Sequence, residues 1–424
     1  MNYANFTKKA PLILVVIVLS FQFAAAQENI IASTITTFVS PDNSYAALNE
    51  FLNSANHSIY LNAYTFTSGD ISWTLAGISK KNISITVILE DSPAGGLPEE
   101  EARAIEILKN ASALVYFTNE SFRFNHAKYI VVDNASVLVT TENFGESGFP
   151  KDNRYGNRGW GAIIVSRELG EYFAELFYRD LAKAKEADLK GKNFVEDEEK
   201  LVKKIGYSPV FETKRYIGNF KVVPVVAPEN NAALETVLQF LSSANKSIKG
   251  EIFYAYKYWG RGDSASVETA PNLFLEEVIK AAERGVEATL LLDSTWYNVD
   301  KKDPRSNYHT VEYLNNLSII KNIPLNAKLL DKSTGIEKLH AKGVAIDGSA
   351  VLISSINWNE NSPRNNREVG VIIYGEPAKY FEEVFDHDWE GRKTEKTEIY
   401  WRRGIALAAL LIVLAFYFIR NRKG

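Results

Sequence analysis

Short runs of β-branched and aromatic residues alternate with stretches of helical spacing along most of the chain. Residues 59–66 (IYLNAYTF) and 85–89 (ITVIL) predict strands. Residues 129–132 and 137–140 predict two more, on either side of the turn dipeptide Asp133-Asn134. Residues 273–283 carry apolar side chains at 273, 274, 275, 278, 279 and 282, a helical spacing closed by Arg284-Gly285. Pro41-Asp42 and Pro228-Glu229 each stand before a helical stretch, as at a helix start. Alternation of this kind predicts an α/β fold with helices on a mixed sheet.

The pattern occurs twice. Residues 51–59 (FLNSANHSI) match 240–248 (FLSSANKSI), and 85–92 (ITVILEDS) match 288–295 (ATLLLDST). Tyr172, Phe173, Phe177 and Asp180 match Tyr380, Phe381, Phe385 and Asp388. The second copy holds two insertions, at roughly 257–271 and 296–309. Self-similarity at so long a period means two fused domains, each long enough to bury its own core. The expected division is 27–182 for the first domain, a charged linker or solvated helix at 183–207, and 208–393 for the second.

The chain ends carry a different pattern. Lys8-Lys9, an apolar run over 11–23 and Ala24-Ala25-Ala26 predict a signal peptide, 1–26. Residues 404–419 hold no charge, and the span 402–420 predicts a transmembrane helix, with Tyr400 and Trp401 at the interface and Arg402, Arg403, Arg420 and Arg422 snorkelling. Its uncharged part would extend ~24 Å as a helix, so a buried core helix is the alternative. The expected placement is the cell membrane, single-pass, catalytic domains outside, with the lipid bilayer as partner. Cysteine is absent, which excludes disulfides and thiolate zinc sites. A net charge of −4 gives no broad attraction to nucleic acid.

Chemistry concentrates in one octet per copy. The chain has five histidines, and two of them open HAKYIVVD at 126–133 and HAKGVAID at 340–347. On an extended segment residues i and i+2 share a face, so His126 pairs with Lys128 and His340 with Lys342. Thr141 and Asn143 follow the first octet at the offset at which Ser355 and Asn357 follow the second. Ammonium, hydroxyl and amide groups in that arrangement suit a phosphodiester, whose charge must be neutralised as phosphorus becomes five-coordinate. Asp133 and Asp347 are candidates for shaping the turn after each octet rather than for touching substrate.

The pattern H-x-K-x4-D-x6-G-S-x-N resembles that of the phospholipase D superfamily, with Thr140 and Ser354 in place of its glycine. The resemblance implies two tandem phospholipase D-like α/β sandwich domains, mixed sheets flanked by helices, with one active site at their interface. It further implies a monomer with internal pseudo-twofold symmetry and chemistry without cofactor or metal. One neutral histidine attacks phosphorus to form a phosphohistidine, and the other, protonated, donates to the leaving alkoxide.

The family commonly carries a downstream carboxylate that braces an imidazole. Glu368 fits in the second copy, where Asn366-Arg367-Glu368 matches Asn157-Arg158-Gly159, so the first copy has glycine at that place. The expectation is that Glu368 braces His340 and keeps it cationic, while His126 stays neutral for attack. His57, His309 and His387 are expected at the surface or in the terminal helix. Both insertions mix rings with cations: Lys257, Tyr258, Trp259 and Arg261, then Trp296, Tyr297, Lys301, Lys302, Arg305 and Tyr308. Such loops could stack bases, lie on a membrane or simply pack. Three functions follow: a phospholipase D-type phosphodiesterase or phosphatidyl transferase, a surface nuclease of the same superfamily, or a degenerate binding protein.

Overall fold

The runs expected as strands in each half line up in one continuous sheet. The computed structural model describes residues 30–118, 121–195 and 206–391. The first half runs β1 (Ile30–Ser40), α1 (Ser44–Asn53), β2 (Ser58–Ala63), α2 (Gly69–Ser79), β3 (Ser84–Leu89), β4 (Leu97–Pro98), α3 (Glu99–Asn110), β5 (Leu114–Phe117), β6 (Lys128–Val132), β7 (Ser136–Thr140), β8 (Gly159–Val165) and α4 (Arg167–Leu181). β9 (Lys185–Glu186) and β10 (Phe194–Val195) follow. The second half runs β11 (Lys214–Ala227), α5 (Ala232–Ser242), β12 (Ser247–Ile252), α6 (Leu273–Glu283), β13 (Glu287–Leu292), α7 (Asn307–Lys321), β14 (Leu325–Leu329), β15 (Lys342–Ile346), β16 (Ala350–Ser354), α8 (Asn361–Asn365), β17 (Glu368–Tyr374) and α9 (Pro377–Glu390).

Fifteen strands join in the order β14-β13-β12-β15-β16-β17-β11-β1-β8-β7-β6-β2-β3-β5-β9. Apart from the edge strand β9, the order is symmetric about the antiparallel pair β1·β11, which runs from Ile30↔Val222 to Thr37↔Lys214. β2·β3 and β3·β5 are parallel, as are β12·β13 and β13·β14, where helices make the crossovers. The fold is therefore mixed α/β, and the two sheets are one across the seam.

Each half has an outer core. Leu48, Phe51, Leu75 and Ile105 of α1–α3 cover one, and Val237, Phe240, Phe274 and Val278 of α5 and α6 cover the other. α4 and α9 occupy the inner face, where Phe173, Phe177, Phe381 and Phe385 pack with Trp160 and strands of both halves into one shared core. Burying that apolar surface ties the halves together and fixes the seam. The helix expected at 273–283 forms within those bounds because the Asn272 side chain accepts the amides of Phe274 and Leu275.

Part of the charged stretch expected as a linker is built into the first half: β9 pairs with β5, and β10 pairs with β4. The predicted signal peptide (1–26) and transmembrane segment (402–420) lie outside the described residues. Among the described residues no helix is long and apolar enough to cross a membrane.

Candidate active site

Each histidine stands two residues before the first residue of a strand, β6 or β15. The backbone N–H of His126 donates to the Arg367 carbonyl at 2.8 Å, and that of His340 to the Arg158 carbonyl at 2.8 Å. Each octet is thus stitched to the start of β17 or β8 in the opposite half. Glu90 and Asp293, at the ends of β3 and β13, tie down the preceding residue. Glu90 accepts the amide of Asn125 at 2.5 Å, and Asp293 that of Leu339 at 2.9 Å. Neither acid stood out in the sequence, although the two occupy matched places in the repeat.

The bracing carboxylates cross the seam, which corrects the expectation for Glu368. Its Oε2 accepts from His126 Nδ1 at 2.8 Å, not from His340. His340 Nδ1 lies 3.1 Å from Oε2 of Glu142, a first-half residue that sequence reasoning missed. The reason is topological. The start of β17 pairs with the segment before His126, so a side chain on β17 faces the other half's imidazole. The one signal available was a carboxylate at 142 where the second copy has Ile356.

The two carboxylates are held unequally. Glu368 accepts from His126, from the Ser355 hydroxyl at 2.5 Å, from the Asn366 amide at 2.9 Å and from the Ser362 hydroxyl. Glu142 receives His340 and the Asn157 amide at 3.1 Å, and its Oε1 has no hydrogen-bond partner among the described residues. Burial pushes Glu368 up, but His126, Lys128 and Ser355 outweigh it and hold it below the usual range. Burial lifts Glu142 to about 7, against the pull of Lys342.

The cations share the enclosed surroundings. Lys128 Nζ donates to the His126 carbonyl at 2.9 Å and Lys342 Nζ to the His340 carbonyl at 2.7 Å. An ammonium has three hydrogens, so two remain on each for a ligand. Burial lowers Lys342 to about 7 and drives Lys128 well below its ordinary value. Burial also brings His126 down to about 4 despite Glu368, and takes His340 well below 6.5 with help from Lys342 and Lys128. Each imidazole meets a ring edge-on, His126 with Tyr64 at 4.8 Å and His340 with Phe253 at 4.7 Å. The site is therefore a matched pair from matched positions.

The other candidates divide. The side-chain oxygens of Asn143 and Asn357 are buried without a hydrogen-bond partner among the described residues. An unsatisfied buried amide costs about 1–3 kcal/mol, and a flip would present its NH2 to an anion. Ser355 is committed: it accepts from the Val369 amide and donates to Glu368. Thr141 accepts from the Trp160 amide at 3.0 Å. Thus Ser355 gives its proton to the carboxylate that meets His126, while Thr141 holds the start of β8 in its own half. Asp133 accepts the amides of Asn56, His57 and Ser58, and Asp347 those of Asn245, Lys246 and Ser247. Both lie in the turn beyond β6 or β15 and shape it, away from the imidazoles. His309 bonds Glu312 and the Lys301 carbonyl, and His387 bonds Asp388.

Below the site two buried arginines clasp the halves. Arg158 bonds Asp42 at 2.7 Å, Tyr207 at 2.8 Å and Asp388 of the other half. Arg367 bonds Glu229 at 2.6 Å and, across the seam, Asp180 at 2.8 Å. The backbones of the same arginines receive the histidine amides. A cleft of about 870 Å³, lined by Glu90, Asp91, Arg123, Phe124, Arg364 and Asn365 among others, opens between the halves beside Phe124. Neither imidazole lines it, but Tyr64 bridges Phe124 and His126. Of the insertion rings, Tyr258 and Trp259 are core, whereas Trp296 is 77% exposed.

Fold and site together define a duplicated α/β protein with one histidine pair at its seam. The chain belongs to the phospholipase D superfamily: the family described as "Cardiolipin synthase, PLD-like domain" matches residues 48–181 and again 237–389. Among solved structures the fold is similar to phosphatidylserine synthase of Haemophilus influenzae Rd KW20, at 14% identity and a TM-score of 0.60, covering 93% of this chain and 98% of that one. Nuc of Salmonella typhimurium, a phospholipase D family member, aligns at 23% identity over 36% of this chain and 97% of its own, with a TM-score of 0.33. No curated protein sequence matches the chain. Membership supports a phosphodiesterase-type function.

Proposed function

We propose that the protein is a metal-independent phosphodiesterase that works through a phosphohistidine on His126, with lipid phosphodiesters as its substrate class and water or an alcohol as acceptor. The observation that carries the reading is the reciprocal bracing of two imidazoles at Nδ1 by carboxylates of opposite halves. A carboxylate at Nδ1 holds the proton there and leaves the Nε2 lone pair toward the seam.

Charge bookkeeping fits one phosphodiester. Lys128 and Lys342 oppose Glu142 and Glu368. The substrate adds one negative charge, which a single imidazolium balances. Glu368 is saturated and anionic, so His126 keeps Nδ1–H and attacks with Nε2. The P–O bond to the leaving group breaks, and the alkoxide takes the proton held by the His340–Glu142 pair. In the second step His340 accepts a proton from water or alcohol as that oxygen attacks phosphorus, and the P–N bond returns its electrons to His126. Lys128, Lys342, Asn143 and Asn357 donate to the equatorial oxygens.

Lipid is favoured over nucleic acid by the family description and by the chain's net charge of −4. The test is hydrolysis of phosphatidylglycerol vesicles and of single-stranded DNA, both in EDTA. Turnover of lipid alone supports the reading. Turnover of DNA alone replaces lipid by nucleic acid, and turnover of neither, nor of an aryl phosphodiester, removes the enzyme reading.

The free enzyme must hold one proton on the His340–Glu142 pair, for the leaving alkoxide, and one on Lys342. Glu142 ionises as pH rises through about 7, and Lys342 loses its proton as pH rises through about 7. The kcat/KM profile is therefore expected to hold below neutrality and to fall steeply as pH rises through about 7. Lys342→Arg should make that fall shallower, because guanidinium stays protonated and only the proton of the His340–Glu142 pair is then lost. A flat profile from pH 5 to 9 would contradict these assignments.

A further inference from the structure

The first half lacks a carboxylate at position 159, where the second has Glu368, and carries one at 142, where the second has Ile356. The two differences are linked in space. A Cβ on Gly159 would fall inside contact distance of Glu142 Cγ, Cδ and Oε1. The volume a side chain at 159 would occupy is the volume Glu142 fills. From there Glu142 reaches His340 Nδ1 at 3.1 Å, as Glu368 reaches His126 at 2.8 Å.

We propose that Glu142 is the positioning residue for His340, and that residues 142 and 159 form one interchangeable unit in which the carboxylate has moved from one strand to the loop facing it. On this view Gly159 is a requirement of the relocated acid and not a sign of decay.

Stability alone gives no reason for this arrangement. Glu142 is 2% exposed, one of its oxygens is unpartnered among the described residues, and its charged form is disfavoured by burial. A buried carboxylate so poorly supplied with donors destabilises the fold. Its counterpart Ile356 is simply core. What the acid contributes is a fixed ring: Nδ1–H bonded to Glu142 points Nε2 of His340 at the seam.

The proposal rests on the phosphodiesterase reading for its kinetic arm, so the test has a second arm that needs no turnover. With ¹⁵N-labelled histidine at pH 8, His340 of the wild type should give the Nδ1–H tautomer. Glu142→Ala should lose that tautomer and lower kcat by about 10²- to 10⁴-fold, with KM less affected. Gly159→Glu alone should overcrowd the pocket and lower the melting temperature. The double variant Glu142→Ala/Gly159→Glu removes the crowding atoms and returns a carboxylate from β8. It should recover the Nδ1–H signal and bring kcat to within about tenfold of wild type.

An unchanged tautomer in Glu142→Ala would overturn the proposal. So would a folded double variant that stays as impaired as Glu142→Ala. If the double variant fails to fold, the tautomer of Glu142→Ala decides. If the wild type turns over no phosphodiester, the function reading fails while the tautomer result still stands or falls alone.

Discussion

Replacing His126 with asparagine removes turnover of every phosphodiester, a loss expected on the order of 10⁴-fold or more. The ring supplies the only bond to phosphorus in the first step, and the two lysines and two amides retained around it can bind and polarise but cannot attack. His340→Asn should cost a similar factor in steady-state kcat by a different route, since the leaving alkoxide and then the acceptor lose their proton carrier. The two effects are not additive. The residues act on one reaction coordinate, so the double variant should be no worse than about the more damaged single one. Steady-state rates on an aryl phosphodiester decide this. Its leaving group needs no proton, so it should rescue His340→Asn in part and His126→Asn not at all. Rescue of His126→Asn instead would exchange the roles.

The second large effect is on folding. Arg158 and its partners Asp42 and Asp388 are all fully buried. Arg158→Met leaves two carboxylates in the core without their cation, and the expected loss is about 3–5 kcal/mol. That is a large share of the stability of any domain. The symmetry-related Arg367 offers an internal control. Its partner Asp180 is equally enclosed, but Glu229 is 35% exposed and can turn to water. Arg367→Met should therefore cost less. Urea unfolding of the two variants side by side gives the comparison, and a larger loss at Arg367 would contradict it. Both variants should also lose activity beyond their instability, because the backbones of these residues hold the histidine amides.

Much of this was legible in the chain. The doubled octets, the matched Asn143 and Asn357 and the strand–helix alternation follow from local spacing, and local spacing is what a sequence displays. The helix at 273–283 formed where its apolar periodicity put it. The seam strands β1 and β11 were not foreseen, because their pairing partner is the other half and nothing local announces it. The carboxylates failed for the same reason. Aligning the copies places Glu368 opposite Gly159 and suggests that each acid serves its own half, whereas the pseudo-twofold delivers each acid to the other. Glu142 was hidden further, since its counterpart is an isoleucine and no repeat-based reading selects it. Ser355 looks like a phosphate ligand from spacing, yet it spends its proton on Glu368.

The central claim is that imidazoles from two halves work on one phosphorus atom, with His126 bonding to it. Acid-free quenching of His340→Asn with a ³²P-labelled aryl phosphodiester, whose leaving group needs no proton, followed by peptide mapping, is the test. An acid-labile phosphoryl adduct is expected on the peptide that contains His126, and none in His126→Asn. No adduct on that peptide, or one elsewhere in the chain, would contradict it.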